Sequence, residues 1–434
     1  MEKENINSSN LNQIIESKME KVSEIRELGL EPFGRKYDKQ HNVDYILNSY
    51  EENCETVFKT AGRIMSYRRQ GKNGFGHIED LSGKMQYYVK KDEIGEEAYE
   101  LYKKVGVGDF LGIEGILFKT STGEITLRVK KFEILTKNIR PLPEKFHGLT
   151  DVETRYRQRY IDLIMNREVK DTFIMRSKII NQIRIFLQNK GFLEVETPMM
   201  HPILGGASAK PFVTHHNTLD MELYLRIAPE LYLKKLIVGG YEKVFELNRS
   251  FRNEGISTRH NPEFTMMELY QAYADYNDMM DLTEELISSL AMTLHGKDVL
   301  PYENEMINYA KPWKRITIKD AIKEHTGYDF NTITTLEETR EIAKKLGIQV
   351  DEKASYYKLI IEIFEAKVEE KLIQPTFITE YPKEISPLAK LKKDSTDYVD
   401  RFELFIYGRE LGNAYSELND PVDQKERFEE QVKA

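Results

Sequence analysis

Apolar side chains recur at helical spacing through Leu11, Ile14, Ile15, Met19, Val22, Ile25 and Leu28, with Lys18 on the same stripe, and Gly29 and Pro32 end the run. That pattern predicts an amphipathic helix at the start of the chain. From about Val57 to Leu135 the period falls to two, in the runs VFKTAGRIMSYRR, GFGHIEDLSG and MQYYVKK, a helical stretch near Glu93 to Val105, then DFLGIEGILFKT and EITLRVKKFEIL. Five strands with a helix after the third is the order of an OB barrel. Pro141 and Pro143 then mark an extended linker that turns helical at Val152. Between Phe173 and Lys190, apolar residues at Met175, Ile179, Ile180, Ile183, Phe186 and Leu187 predict a helix stopped by Gly191. The following FLEVETPMM alternates through Leu193, Val195 and Thr197, as a strand would.

The alternation returns at Phe245, Leu247, Arg249 and Phe251, set against Glu246, Asn248, Ser250 and Arg252. After Pro262 it resumes with Phe264, Met266, Glu268 and Tyr270 on one face, which predicts two antiparallel strands joined by a long polar loop. A second pair is read at Phe402 to Tyr407 and Asn413 to Glu417, with Gly408 and Gly412 around Glu410. Helical patterns at Leu282 to Leu294, Ile318 to Glu324 and Lys358 to Ile373 fall mostly in a stretch with no further motif.

With 434 residues, 40% hydrophobic and 31% charged, the chain has the composition of a multidomain globular protein. A formal charge of −9 excludes a protein that simply coats nucleic acid, so any RNA contact is local. The single cysteine, Cys54, excludes an intrachain disulfide, and the polar, acidic start MEKENINSSN lacks the form of a signal peptide. No apolar run approaches the roughly 20 residues a bilayer span requires. These features lead to a cytoplasmic expectation.

Residues 251–276, FRNEGISTRHNPEFTMMELYQAYADY, carry the chemistry. Arg252 offers a planar fork to an α-phosphate and a substrate carboxylate, Arg259 can reach a terminal phosphate, and the Phe264 ring can stack on adenine. The wording resembles motif 2 of class II aminoacyl-tRNA synthetases, in the lysyl-tRNA synthetase variety. An α+β protein is then expected, an N-terminal five-stranded OB β-barrel followed by a catalytic domain on an antiparallel sheet flanked by helices. Its divisions fall at 1–50 (helical extension), 51–140 (OB domain), 141–172 (linker) and 173–434 (catalytic domain, with an insertion at about 296–375). The resemblance implies ATP, L-lysine and tRNA(Lys) as substrates, Mg²⁺ as cofactor, and a homodimer formed through the segment ending in GFLEVETPMM.

Residue by residue, the resemblance assigns Glu254 and His260 to ATP beside Arg252, Arg259 and Phe264. By themselves His260 reads equally as a structural residue and the LGGASAKPFV loop as a surface turn; the resemblance puts Gly206 at the amino acid. Glu230, alone, reads as a solvated residue in a first helical turn; by resemblance it binds the α-ammonium. Glu268 joins the lysine set. Glu403, Glu410, Asn413 and Glu417 should be delivered to one site by two strands, and carboxylates gathered without bases call for cations. Glu403 and Glu410 match metal-binding acids, with Glu410 also touching ATP. Glu417 paired with Tyr270, with Asn413 and Tyr415 lining the pocket, resembles a clamp for the ε-ammonium; an aspartate-specific relative would need a cation there. In the barrel, Lys59, Arg63, Arg68, Arg69 and Lys72 concentrate positive charge in the first hairpin. Phe75 alone reads as a core residue; the resemblance assigns Phe75, Gln86 and Glu124 to a uridine-rich anticodon, with Arg68 beside them.

The chain departs from the family pattern at its end. Motif 3, whose Arg closes the adenine sandwich opposite Phe264, does not occur within these 434 residues. A fragment with impaired activity is therefore expected; the alternative is a truncated paralogue that binds lysine or tRNA without catalysis.

Overall fold

The computed structural model describes residues 2–53, 55–143, 151–207, 209–257 and 260–433. It divides into two compact units, Met1–Asp171 and Thr172–Ala434.

The first unit opens with the helix Glu2–Glu27. Only the last turns of its apolar stripe are covered: Val22 and Ile25 are buried, whereas Leu11, Ile14, Met19 and Leu28 stay exposed. Ile25 belongs to the barrel core, and Lys18 extends its amine to the Asn138 carbonyl at 3.0 Å, so the helix is held at one end. The barrel strands are β1 (Val57–Gln70), β2 (Asn73–Glu79), β3 (Lys84–Lys90), β4 (Phe110–Lys119) and β5 (Ile125–Thr136), closed in the order β1-β2-β3-β5-β4. Two short helices, Lys91–Ile94 and Glu96–Tyr102, follow β3. Alternating side chains of β1 to β5 fill the interior, Ile64, Ile78, Tyr87, Ile113 and Leu127 among them. Closure forces β4 against β5 at Gly115, where a Cβ would lie 2.1 Å from the Arg128 carbonyl oxygen and the register shifts. Only glycine fits there. After the linker the helix Val152–Arg157 begins where it is read, because the Asp151 side chain accepts from Thr154 N at 2.8 Å and caps it.

The helix predicted from Phe173 runs from Arg167 to Asn189, its first turns reinforced by the Arg167–Asp171 pair. The strand predicted through Leu193, Val195 and Thr197 is mostly absent. The strand pairing is confined to β6 (Leu193–Glu194), extended by the Val195 N–H donating to the Phe245 carbonyl at 2.9 Å, and β7 (Met200–His201); between them Pro198 has no N–H and the Thr197 hydroxyl donates to Glu246 Oε2 at 2.6 Å. The strands β8 (Val213–His216) and β9 (Met221–Leu225) form a small sheet with β7, in the order β7-β9-β8.

β10 (Lys243–Phe251) and β11 (Glu263–Gln271) form the expected antiparallel hairpin, and β6 adds to β10 in parallel. Phe245 packs behind this sheet on Leu187 and Phe192. The hairpin β12 (Val299–Tyr302) and β13 (Glu305–Asn308) begins the stretch read as an insertion. That stretch is not separate from the catalytic sheet. β14 (Lys314–Thr317) lies parallel to β15 (Thr376–Pro382) as the edge of a four-stranded sheet continued by β16 (Tyr398–Phe405) and β17 (Glu410–Tyr415). The helices Ile318–Thr326, Leu336–Lys345 and Tyr356–Lys367 bury Ile322, Ala343, Ile360 and Phe364 with Ile378 and Phe405 of this sheet. The helix read over Lys358 to Ile373 ends at Lys367, and Ser355 caps its start by accepting from Lys358 N at 3.1 Å.

Candidate active site

The β10–β11 register places Ser250, Asn248 and Glu246 opposite Phe264, Met266 and Glu268, so the predicted chemistry-bearing face is assembled as read. At its open end the Arg252 guanidinium carbon lies 5.2 Å from the Phe264 ring centroid. Arg252 Nε is buried with no hydrogen-bond partner among the described residues, a donor that lacks its acceptor. Beyond it the loop doubles back: Asn253 N donates to the Lys210 carbonyl at 2.7 Å, and Glu254 accepts weakly from Lys210 N at 3.3 Å. His260 is exposed and closes a local turn with Ser257, its Nδ1 3.0 Å from the Ser257 hydroxyl. Arg259 lies outside the described residues.

Deeper along the hairpin is an acidic pocket. Glu230 begins the helix Glu230–Val238 and is buried, contrary to its reading as an isolated solvated acid. Gly206 is packed against it: at φ +89° a Cβ there would lie 3.0 Å from Glu230 Cβ and 3.3 Å from Ala228 Cβ. Glycine is required both by that conformation and by that approach. From the other sheet, the Tyr415 hydroxyl donates to Glu230 Oε1 at 2.9 Å. Lys234 Nζ sits 2.5 Å from Glu230 Oε1 and 2.7 Å from Glu417 Oε1. Glu417 occupies the mouth, with its side chain 41% exposed, so solvent screens that pair.

The clamp predicted between Glu417 and Tyr270 is not formed directly. The Tyr270 hydroxyl donates to Glu268 Oε2 at 3.3 Å, because both lie on one face of β11, while Glu417 is drawn to Lys234. Burial, then the Glu230 charge, pushes the Glu268 carboxyl up to about 7, with Arg226 and Lys234 opposing. Burial also raises Glu417, against the pull of Lys234, and holds the Tyr270 and Tyr415 phenols neutral well above their ordinary range. Beneath the pocket Arg226 Nη1 pairs with Glu246 Oε1 at 2.7 Å, both side chains almost fully buried, and Arg226 Nε donates to the Arg249 carbonyl at 2.9 Å. This ion pair lies directly across the ladder from Glu268.

The four residues expected at one site on β16 and β17 divide into two groups. Glu417 belongs to the acidic pocket, beside Tyr415. Glu403 lies directly opposite Asn413, while a register shift after Leu404 brings Glu410 opposite Phe405. Glu403 accepts from Arg401 Nη2 at 2.6 Å and from the Tyr381 hydroxyl at 2.7 Å; Glu410 accepts from Asn413 Nδ2 at 3.0 Å. Burial, opposed by Arg401, and then the neighbouring Glu410 charge push Glu403 up to about 6. Arg401 and Tyr381 engage both Glu403 oxygens, and no group of three carboxylate, His or Cys ligands is gathered among the described residues, so these two carboxylates would hold a hard divalent cation only together with phosphate and water oxygens.

On the barrel, Phe75 is 38% exposed and packs on Tyr88 with ring centroids 4.6 Å apart; Tyr88 in turn lies 5.9 Å from Phe118. Gln86 Nε2 donates to Glu124 Oε2 at 2.9 Å, His77 Nε2 is 3.0 Å from Glu124 Oε1, and Thr126 donates to Gln86 Oε1 at 2.7 Å. Of the expected basic cluster, Arg68, Arg69 and Lys72 are exposed, and Arg68 lies directly across the ladder from Phe75. Lys59 pairs with Glu114, Arg63 donates to the Gly108 carbonyl and lies over Phe110, and Lys72 pairs with Asp92. Strand β1 is too long for its charges to share one end.

Lys234 and Arg226 went unread in the sequence. The signal for Lys234 was present, since Glu230 and Lys234 are four residues apart on one helix. Arg226 had none, because its partner Glu246 comes from another sheet.

A profile described as tRNA synthetases class II (D, K and N) matches residues 151–434, and one described as an OB-fold nucleic acid binding domain matches residues 58–135. The chain is similar to the lysine–tRNA ligase of Carboxydothermus hydrogenoformans, 57% identical over 424 residues that cover 98% of this chain and 87% of that protein. It resembles the lysine–tRNA ligase of Oceanobacillus iheyensis at 55% identity over 433 residues, 98% of this chain and 88% of that one. That of Fusobacterium nucleatum is 58% identical over 422 residues, 96% and 85% of the respective chains.

Proposed function

Because this chain belongs to the class II lysine–tRNA ligases, we propose that it activates L-lysine with ATP to lysyl-adenylate and pyrophosphate and transfers the lysyl group to the 3′ end of tRNA(Lys). The observation that carries the substrate assignment is the acidic pocket of Glu230, Glu268 and Glu417, already bridged by a primary ammonium. Glu230 with Gly206 receives the α-ammonium, and Glu417 with Tyr270 and Tyr415 receives the ε-ammonium, with Asn413 assigned to the lysine set by resemblance. A ligand with no side-chain cation would leave carboxylates unpaired, which costs several kcal/mol where they are buried.

The lysine carboxylate is ionised at neutral pH and is the nucleophile. It attacks the α-phosphorus of ATP, a C–O–P bond forms as the bond to pyrophosphate breaks, and no base is needed. Arg252, whose Nε has no partner among the described residues, lies beside Phe264 and would take a phosphate or carboxylate oxygen while adenine stacks on the ring; the resemblance assigns Arg259, Glu254 and His260 to the ATP as well. Glu403 and Glu410 would hold Mg²⁺, which when bound neutralises phosphate charge. In the second step the terminal ribose hydroxyl of tRNA attacks the lysyl carbonyl and AMP leaves. Phe75, Gln86, Glu124 and Arg68 read the anticodon, where an exposed ring supplies a stacking platform and the Gln86–Glu124 pair supplies polar edges.

The helix Arg167–Asn189 supports a homodimer, since Phe173, Ile185 and the adjoining Leu193 stay more than a third exposed in one protomer. No helix among the described residues is long and apolar enough to cross a membrane, and the reaction belongs in the cytoplasm with its tRNA. ATP–pyrophosphate exchange tests the reading: lysine should support it, and exchange driven by aspartate or asparagine instead would overturn it.

A further inference from the structure

The residue that fills the acidic pocket is itself a lysine. Lys234 Nζ contacts Glu230 Oε1 at 2.5 Å and Glu417 Oε1 at 2.7 Å, the two carboxylates assigned above to the two ammonium groups of the substrate. Its ammonium lies 5.8 Å from the centroid of the Tyr415 ring, the same ring whose hydroxyl is bonded to Glu230. The neighbouring Lys235 cannot share this task, for its ammonium lies over Tyr232.

We propose that Lys234 is a built-in placeholder whose ε-ammonium occupies the empty amino-acid pocket and is displaced by the incoming substrate. The inference rests on the lysine reading of this pocket. Three carboxylates, Glu230, Glu268 and Glu417, converge there, and an empty pocket without a cation would hold them against mutual repulsion in a low-dielectric setting. Lys234 supplies that cation from the first helical turns, on a stem flexible enough to swing aside, with its side chain 22% exposed to the pocket mouth. Lysine brings two ammonium groups, one for each carboxylate that Lys234 bridges. The bound substrate therefore makes the contacts of the internal cation redundant, and the released Lys234 returns to solvent. A single-ammonium ligand replaces only one of the two contacts.

The competing role is a standing bridge, in which Lys234 stays in place and aligns Glu230 with Glu417 for the substrate. The two roles have opposite consequences. A placeholder lowers apparent affinity by the fraction of time that the pocket is open, so removing it tightens binding; a pocket open about a tenth of the time gains roughly tenfold. Removing a bridge weakens binding.

Calorimetric titration of the full chain with L-lysine, comparing wild type, Lys234→Met and Glu417→Gln, separates them. Lys234→Met should bind lysine roughly tenfold more tightly with ATP affinity unchanged. Unchanged or weaker lysine binding by Lys234→Met, while Glu417→Gln still loses lysine, would overturn the placeholder and leave the pocket assignment standing. Absence of lysine binding by the wild type would overturn both. A structure of the wild-type chain with lysine bound tests the same point without a variant. Lys234 Nζ should then lie beyond the ion-pair limit of about 4 Å from Glu230, Glu417 or both. Retention of both contacts would contradict the proposal.

Discussion

Glu268 makes lysine binding depend on pH in a way that one substitution removes. Its carboxyl is raised to about 7, first by burial and then by the Glu230 charge. A carboxyl raised in the folded state holds a proton that the unfolded chain releases near its ordinary value, so this group stabilises the fold fully below about pH 4.5 and loses that contribution as pH rises through about 7. An ammonium delivered beside it reverses the balance, because the ionised carboxylate then has a partner. Lysine binding at a pH below about 7 must therefore expel a proton. Affinity should rise with pH by up to about 1.4 kcal/mol, or tenfold, per pH unit and level off above about 7. Calorimetry between about pH 5 and 8, in buffers of different ionisation enthalpy, reads both the affinity and the protons released. In Glu268→Gln most of the proton release and of the slope should vanish. Wild-type affinity that is flat over this range, or proton uptake on binding, would refute the reasoning.

Three further outcomes follow from other contacts. Phe75→Ala should weaken tRNA binding by about 1–3 kcal/mol, the cost of losing one stacked base, and leave lysine-dependent exchange unaltered; equal tRNA affinity in a filter-binding assay would remove Phe75 from the RNA face. Arg226→Met leaves the buried Glu246 carboxylate without its partner and should destabilise the second unit by about 3–5 kcal/mol, read in urea through fluorescence of the sole tryptophan, Trp313. Glu410→Gln should raise the Mg²⁺ concentration for half-maximal exchange by roughly tenfold, and an unshifted Mg²⁺ titration would exclude Glu410 as a ligand.

Elements whose periodicity was uninterrupted were legible in the sequence. The barrel strands alternate because each buries one face, and the β10–β11 hairpin was legible from the alternation of residue types along it. The strand read through Val195 and Thr197 failed at Pro198, and the helix Leu336–Lys345 escaped notice because few of its residues are apolar; Ile342 and Ala343 carry its burial. Among the site residues, those adjacent along one strand were placed together by register alone, as with Phe264 and Glu268. Partners supplied from different sheets were not, which is why Arg226 was missed; the contact of Tyr270 with Glu268 also went unread. The Lys234 bridge needed three dimensions, since Glu230 is its helical neighbour but Glu417 lies on the far side of the pocket in sequence. Identity as a nucleotide-binding synthetase rested on the wording of one hairpin. Substrate chemistry rested on how three carboxylates meet.

The most direct test of that chemistry compares L-lysine with L-norleucine, which keeps the four-carbon stem and lacks the ε-ammonium. Titrated calorimetrically into the purified chain in the presence of ATP, lysine should bind and norleucine should show no measurable heat, because it brings no ε-ammonium to displace Lys234 from Glu417. Norleucine binding with an affinity equal to that of lysine would contradict the account.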